Sequence, residues 1–483
     1  MVIGLVIMIK KWLSIERVFL LAAIVAVIVL LFARTFVGVA DNGDFLRIMG
    51  SIGLNYYDAN ETYEDRFFRF AHANFAYDEF FRGFYLTSQL ILVALARGIA
   101  KLFNGEAFDI RVLGAMYAGL LITASYLLIK FNKTRSIVTG IALAALILFV
   151  FFDIAYLAYF NSLYGEPTSL VFLLLTLAFG LMLTRQSEPS RAVLVLFFVS
   201  ALLLVCSKTQ NAPVGVGFAL LGLRYATLKR EKAWRKLGLS LSALTLIVSA
   251  AMYIAAPKDF KNINMYQTVF FGVLKDTPDV EGDLKELGLP AHLSVLAGTN
   301  YFQADTAIKQ NDPSLNADFY ERISHADVLW FYLKHPGRLI GNMEYAAENG
   351  MMIRPYYLGN YEKSEGKPPG ALSFQYSGWS EFKKSVLPNQ LWFIAAVFLV
   401  YFAAAAWEWL RSADRKRRAG VELLILLGLT GVFSFLIPIV GDGQADMGKH
   451  LFLFNAIFDM MLVTGAVWVV YQISSRMGRR GGV

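Results

Sequence analysis

The chain has 483 residues, 57% of them hydrophobic and only 17% charged, with a mean hydropathy of +0.50. This excludes a disordered chain and an ordinary cytosolic enzyme, in which about a quarter of residues carry charge. The +8 net charge does not by itself indicate a nucleic-acid partner, and the single cysteine, Cys206, excludes an intrachain disulfide or a multi-cysteine metal site.

A membrane-crossing helix needs about 20 apolar residues. Runs of that kind occur at 17–35, 84–103, 112–130, 136–158, 167–184, 191–206, 213–228, 237–256, 389–410, 420–440 and 449–472. The first follows Lys10, Lys11 and Arg17 and has no small-residue cleavage site, so it reads as a retained anchor. Basic loops follow at Lys130/Lys133/Arg135, Arg185/Arg191, Lys229–Lys236, Arg411–Arg418 and Arg476–Arg480. Lys/Arg in short loops mark the cytoplasmic side. All the basic loops share one side only if the run at 84–103 does not cross. That run carries Gln89, Arg97 and Lys101 at amphipathic spacing and reads as a helix lying in the membrane plane. The expectation is an all-α polytopic membrane protein of about ten transmembrane helices with both termini cytoplasmic. It divides into a transmembrane module (1–256) containing a long first outer loop (36–111) with in-plane helices, a mainly helical external segment (257–388), and C-terminal transmembrane helices (389–483). Within the external segment, DLKELGLP stops at Gly288–Pro290, and 319–350 reads as two helices broken at Pro336.

The charges left on the outer side carry the candidate chemistry. In GVADNGDFLR (38–47), Asp41 and Asp44 flank an Asn-Gly turn signal. Two carboxylates so placed suit a divalent cation or a general base; the alternative is an Asp capping the helix that follows. Glu166 in NSLYGEP (161–167) is either a second acid facing the same cavity or a first-turn acid favoured by the helix dipole, with Pro167 beside it. Arg34, Lys208, Lys449 and His450 are cations at outer helix ends, and Arg354 belongs to the external segment. They suit a lipid-linked phosphate at that depth, or else they snorkel to lipid headgroups. Asp459 falls mid-way along the last crossing, with Asn455 one turn earlier as a hydrogen-bond partner, and Asp153 lies near an outer end.

The layout resembles the GT-C superfamily of integral-membrane glycosyltransferases. It is most similar to bacterial members that add hexoses to cell-surface glycans, and distantly to the GPI mannosyltransferases and protein O-mannosyltransferases. The elements that carry the likeness are VADNGDFLR (39–47), NSLYGEP (161–167), FYLKHPGRL (331–339) and ADMGKHLFLFN (445–455). The resemblance implies inverting transfer of a sugar from a polyprenyl-phosphate donor to a glycan or lipid-linked acceptor, outside the bacterial cytoplasmic membrane. It implies Asp44 or Asp41 as the base. In metal-dependent relatives a divalent cation (Mg or Mn) lies between first- and second-loop acids, here Asp41, Asp44 and Glu166; in others Lys and Arg hold the phosphate. Asp-Asn-Gly-Asp stands where a strict Asp-x-Asp would, so both schemes stay open. The competing readings are a lipid-linked-sugar flippase or transporter, an O-antigen polymerase or ligase, and a non-catalytic scaffold.

Overall fold

The computed structural model describes residues 14–78, 85–132 and 136–480; Lys10, Lys11, Glu79, Lys133 and Arg135 lie outside the described residues. The protein is an all-α polytopic membrane protein. Among the described residues, seven helices are long and apolar enough to cross a membrane. They are α1 (Ile15–Val27, continued by a wide turn over Ile28–Phe32), α4 (Arg111–Phe131), α6 (Glu166–Arg185), α9 (Lys232–Ile254), α14 (Leu391–Arg411), α15 (Arg415–Asp442) and α16 (Phe452–Arg480). The expected crossing at 136–158 is bent by 53° between α5 (Ile137–Phe151) and Ile154–Asn161; counted as one span, it makes eight. Two shorter apolar helices, α7 (Arg191–Val205) and α8 (Val214–Tyr225), occupy the two remaining expected crossings.

Local chemistry starts these helices where the sequence turns apolar. Ser136 caps α5 and Ser190 caps α7 through their side-chain oxygens, and the Asp414 carboxylate accepts from Lys416 N and Arg417 N at the start of α15. The central helix is α6, buried along nearly its whole length against its neighbours. It is apolar all round, as a helix must be when every face packs on protein.

The first loop contains α2 (Phe45–Ile52) and α3 (Gln89–Phe103), and also an element absent from the expected helical layout. Strands β1 (Leu54–Tyr56), β2 (Asn74–Tyr77) and β3 (Ala107–Asp109) form an antiparallel sheet in sequence order, with Phe75 paired to Tyr56 and Phe108. α3, which carries Arg97 and Lys101, is not among the helices apolar and long enough to cross. It buries Leu92, Val93, Ala96 and Ala100 while leaving Ile91, Leu95 and Ile99 exposed.

Between α9 and α14 lie α10 (Lys258–Thr268), α11 (His325–Lys334), α12 (Pro336–Glu348) and α13 (Gly378–Val386). The break at Pro336 falls as the sequence indicates, because Pro suits the first position of a helix and is unfavourable in its interior. A second hydrophobic core, built on Tyr266, Phe270, Leu293, Phe319 and Phe331, holds the first part of this segment together. Its last helix, α13, is fastened to the bundle at both ends. Asp153 accepts from Trp379 N, Ser380 N and Ser380 Oγ at the N-terminus of α13. Further along, Lys383 Nζ lies 2.5 Å from Asp459 Oδ1 and 2.6 Å from Asn455 Oδ1, with Lys383 and Asp459 both fully buried. Tyr156 and Trp379 donate to the other Asp459 oxygen at 2.7 and 2.8 Å. The Asn455 amide, meanwhile, donates to Met352 O and Leu451 O. Asp459 therefore serves a structural network, as expected, but its principal partner is Lys383 rather than Asn455.

Candidate functional site

Loop 38–47 is threaded against a segment more than 300 residues away: Gly38 N and Ala40 N donate to Asn360 O and Gly359 O. Gly43 turns the chain at φ +103°, a conformation open to glycine. That turn gives the two aspartates different environments. Asp41 is fully buried; its Oδ1 accepts from Gly43 N (2.7 Å) and Phe45 N (3.1 Å), capping α2, and its Oδ2 accepts from Tyr56 OH. Burial pushes its pKa up to about 6, against the opposing pull of these donors. Asp41 thus takes the helix-capping role. Asp44 is one-third exposed and opens onto a cavity of about 810 Å³.

Segments far apart in the chain converge on that cavity. Asp44 Oδ1 lies 3.0 Å from Arg47, and Oδ2 contacts Lys449 Nζ. Asn42 Oδ1 accepts from Lys449 at 3.2 Å, and the Lys449 ammonium stands 4.5 Å from the centre of the Tyr164 ring. Glu166 opens α6 with Pro167 next to it, and its Oε1 receives Lys208 at 2.5 Å. Gln89, at the start of α3, donates to Leu163 O and Tyr164 O, both at 2.7 Å, and so fixes the loop that carries Glu166. His450 Nε2 pairs with Asp442 Oδ2 at 2.6 Å and its Nδ1 faces Gln210. Asp446, held in the left-handed region at φ +43°, accepts from Asn42 and from Tyr357 OH. Strain of this kind at a non-glycine residue collects at functional sites.

The electrostatics are set by burial against charge. Burial alone would raise the Asp44 pKa, but Lys449 and Arg47 outweigh it and hold the carboxyl well below its ordinary range. Burial would likewise lower Lys449, yet Asp44, Asp446 and Glu166 keep its ammonium charged and its pKa raised. His450 is also raised, Asp442 overcoming the effect of burial. The cavity is lined by four carboxylates (Asp44, Glu166, Asp442, Asp446) and five lysines and arginines (Arg47, Lys208, Lys258, Lys261, Lys449), with His325 and His450 besides. It can therefore accept an anion while presenting a carboxylate to it.

Asp44, Glu166, Lys208, Lys449 and His450 line this cavity together; Arg34 and Arg354 do not. Arg34 is exposed at the end of the first apolar helix. Arg354 is 2% exposed, bonds Asn360 Oδ1 at 3.0 Å and lies against the Tyr356 and Phe374 rings, so it braces the segment that holds loop 38–47. Nor do Asp41, Asp44 and Glu166 converge as a metal-ligand set. Asp41 is saturated by three donors, and Asp44 and Glu166 each face a lysine; among the described residues no group of three His, Cys, Asp or Glu forms such a cluster. Sequence reasoning passed over Arg47, Asn42, Asp442 and Asp446. The last two stand in GDGQADMGKH beside Lys449 and His450, where acids on the cations' own loop were the available signal.

The Asp41 environment makes a measurable prediction. Folding keeps this carboxyl protonated to about pH 6, whereas the unfolded group ionises near 3.8. The folded state therefore binds the extra proton, and this contribution to stability falls as pH rises from about 4 to 6. Asp41→Asn should gain on the order of 3 kcal/mol relative to wild type between pH 4 and pH 7, read from denaturation at each pH. Parallel pH curves for the two proteins would contradict it.

The family model described as the YfdI N-terminal transmembrane domain matches residues 6–481. The chain belongs to this family. No curated protein matches it. Among solved structures, the apo crystal structure of an oligosaccharyltransferase from Archaeoglobus fulgidus is similar at a TM-score of 0.40 and 13% identity, over 98% of this chain and 52% of that one. The chain thus spans about half the length of that protein.

Proposed function

We propose that this member of the YfdI N-terminal transmembrane domain family is a GT-C-type glycosyltransferase. It transfers a sugar, a hexose by resemblance, from a polyprenyl-phosphate donor to a cell-surface glycan or lipid-linked acceptor on the outer face of the bacterial cytoplasmic membrane, with both termini inside. The observation that carries this reading is the contact between Asp44 and Lys449, 405 residues apart, on the wall of a cation-rich cavity.

The chemistry follows from what transfer requires. The acceptor hydroxyl attacks the anomeric carbon as the bond to the donor phosphate oxygen breaks, through an oxocarbenium-like state. Asp44 takes the hydroxyl proton, and the bonding electrons leave with polyprenyl phosphate. Lys449, Lys208 and Arg47 stabilise the charge on that phosphate, and His450 adds a further donor. A carboxylate tied to two cations is a poor base. When the donor phosphate draws Lys449 and Arg47 toward itself, Asp44 loses its partners and its basicity rises at the moment it is needed. The carboxylate set does not fit a divalent cation as arranged, since Asp41 is taken up by three donors and Asp44 and Glu166 each face a lysine.

The test is donor affinity. Purified protein in nanodiscs is titrated with a labelled polyprenyl-phosphate hexose, and Lys449→Met is expected to weaken binding by at least tenfold. Unchanged affinity would remove the cavity as the phosphate site.

A further inference from the structure

At the helix ends remote from the cavity, α14 and α16 enclose a second, smaller groove of about 220 Å³. Its walls are Trp407 and Arg411 on α14 and Trp468, Val469, Gln472, Ile473 and Arg476 on α16. One carboxylate behind the groove holds two of its wall side chains. Glu408 accepts from Trp468 Nε1 and Gln472 Nε2, both at 3.0 Å, and its other oxygen takes Arg417 at 2.6 Å. Glu408 is thereby committed, although the Arg411 charge also reaches it. Arg411 and Arg476 are exposed, and among the described residues neither has a carboxylate within ion-pairing distance. Arg411 stacks on Trp407, its guanidinium 5.1 Å from the ring centre.

Two unpaired guanidinium groups in one groove call for an anion, and a planar fork suits phosphate. The groove is smaller than a pocket for a drug-sized ligand. Exposed apolar side chains line and flank it on the same helices: Val400 and Leu410 on α14, Val469 and Ile473 on α16. An anion bearing hydrocarbon chains fits such a groove, with its chains against these side chains and its charge between the arginines. Indole rings at this depth belong at a membrane–water boundary.

We infer that the groove binds the headgroup of an anionic glycerophospholipid, its phosphodiester held by Arg411 and Arg476 between Trp407 and Trp468. The site is separate from the cavity and does not rest on the proposed transfer reaction.

Native mass spectrometry of the purified full chain, titrated with phosphatidylglycerol or phosphatidylcholine, tests it. One phosphatidylglycerol should bind at least tenfold more tightly than phosphatidylcholine. The Arg411→Gln/Arg476→Gln variant should lose that preference. Arg411→Lys/Arg476→Lys, which keeps the charge without the fork, should fall between them. The Lys232→Gln/Arg235→Gln variant removes equal charge from exposed positions at the same end and should leave the preference intact. The inference is overturned if the two lipids bind alike, if the arginine-to-glutamine variant binds as wild type does, if the Lys232/Arg235 control loses as much, or if polyprenyl phosphate displaces phosphatidylglycerol at stoichiometric amounts.

Discussion

Asp44→Asn is expected to bind the polyprenyl-phosphate sugar at least as well as wild type while lowering the rate of transfer by about 10²–10⁴-fold, the usual range for loss of a positioned base. The split follows from the contacts. Asparagine keeps the shape of the side chain and can still accept from Arg47 or Lys449, so the loop has no reason to move. It cannot take a proton from the acceptor. It also no longer neutralises Lys449, which leaves more positive charge for the donor phosphate. KM for donor should therefore hold or fall while kcat collapses. The pH profile should divide in the same way. The free protein keeps Asp44 ionised throughout the accessible range, because Lys449 and Arg47 hold its pKa low. With donor bound those cations are shared, so kcat acquires an acidic limb that kcat/KM lacks. A variant that turned over within a few-fold of wild type would show that the base is another group.

The largest effect on stability is expected at Lys383→Met. Lys383 is the cation that balances Asp459 in a fully buried pair, and both side chains have no solvent exposure. Methionine fills similar volume but leaves the Asp459 carboxylate with only the Tyr156 and Trp379 donors. Stranding one member of a buried ion pair costs about 3–5 kcal/mol. Replacing the pair together, with Asp459→Leu beside Lys383→Met, should recover most of that loss, since well-packed apolar substitutes for buried pairs are often neutral. A thermal-unfolding series on the two single variants and the double variant reads this directly. Equal losses in the single variants that simply add in the double would mean that Lys383 and Asp459 do not act as a pair. Because α13 is the last helix before α14, the single variant should also loosen the segment that Asp153 caps.

Much of this architecture was legible in the chain. Apolar runs and the punctuation at Pro336 depend on local composition, and local composition is what sequence displays. The bend at Phe152–Asp153 was not legible, because the run continues through it without a glycine or proline. The three-stranded sheet was missed since its strands are three or four residues long, too short for an alternating pattern to stand out. At the site, spacing alone brought attention to Asp41 and Asp44 equally. Their separation into a cap and a cavity carboxylate depends on Tyr56 and Lys449, which lie 15 and 405 residues away. Arg354 looked like a cation for phosphate, but the aromatic rings and Asn360 around it come from the fold of its own segment. Lys383 drew no attention because it sits in the polar stretch EFKKS, and only tertiary packing drives it against Asp459.

In the function proposed for it, this cavity breaks the bond between a sugar and a polyprenyl phosphate. A single-turnover reaction measures it most directly: purified protein in excess, a polyprenyl-phosphate hexose of defined anomeric configuration labelled in the sugar, and a lipid-linked glycan acceptor. One equivalent of free polyprenyl phosphate is expected for each sugar transferred, with the anomeric configuration inverted in the product. Donor that moves between leaflets with its sugar–phosphate bond intact, and no product formed, would contradict it.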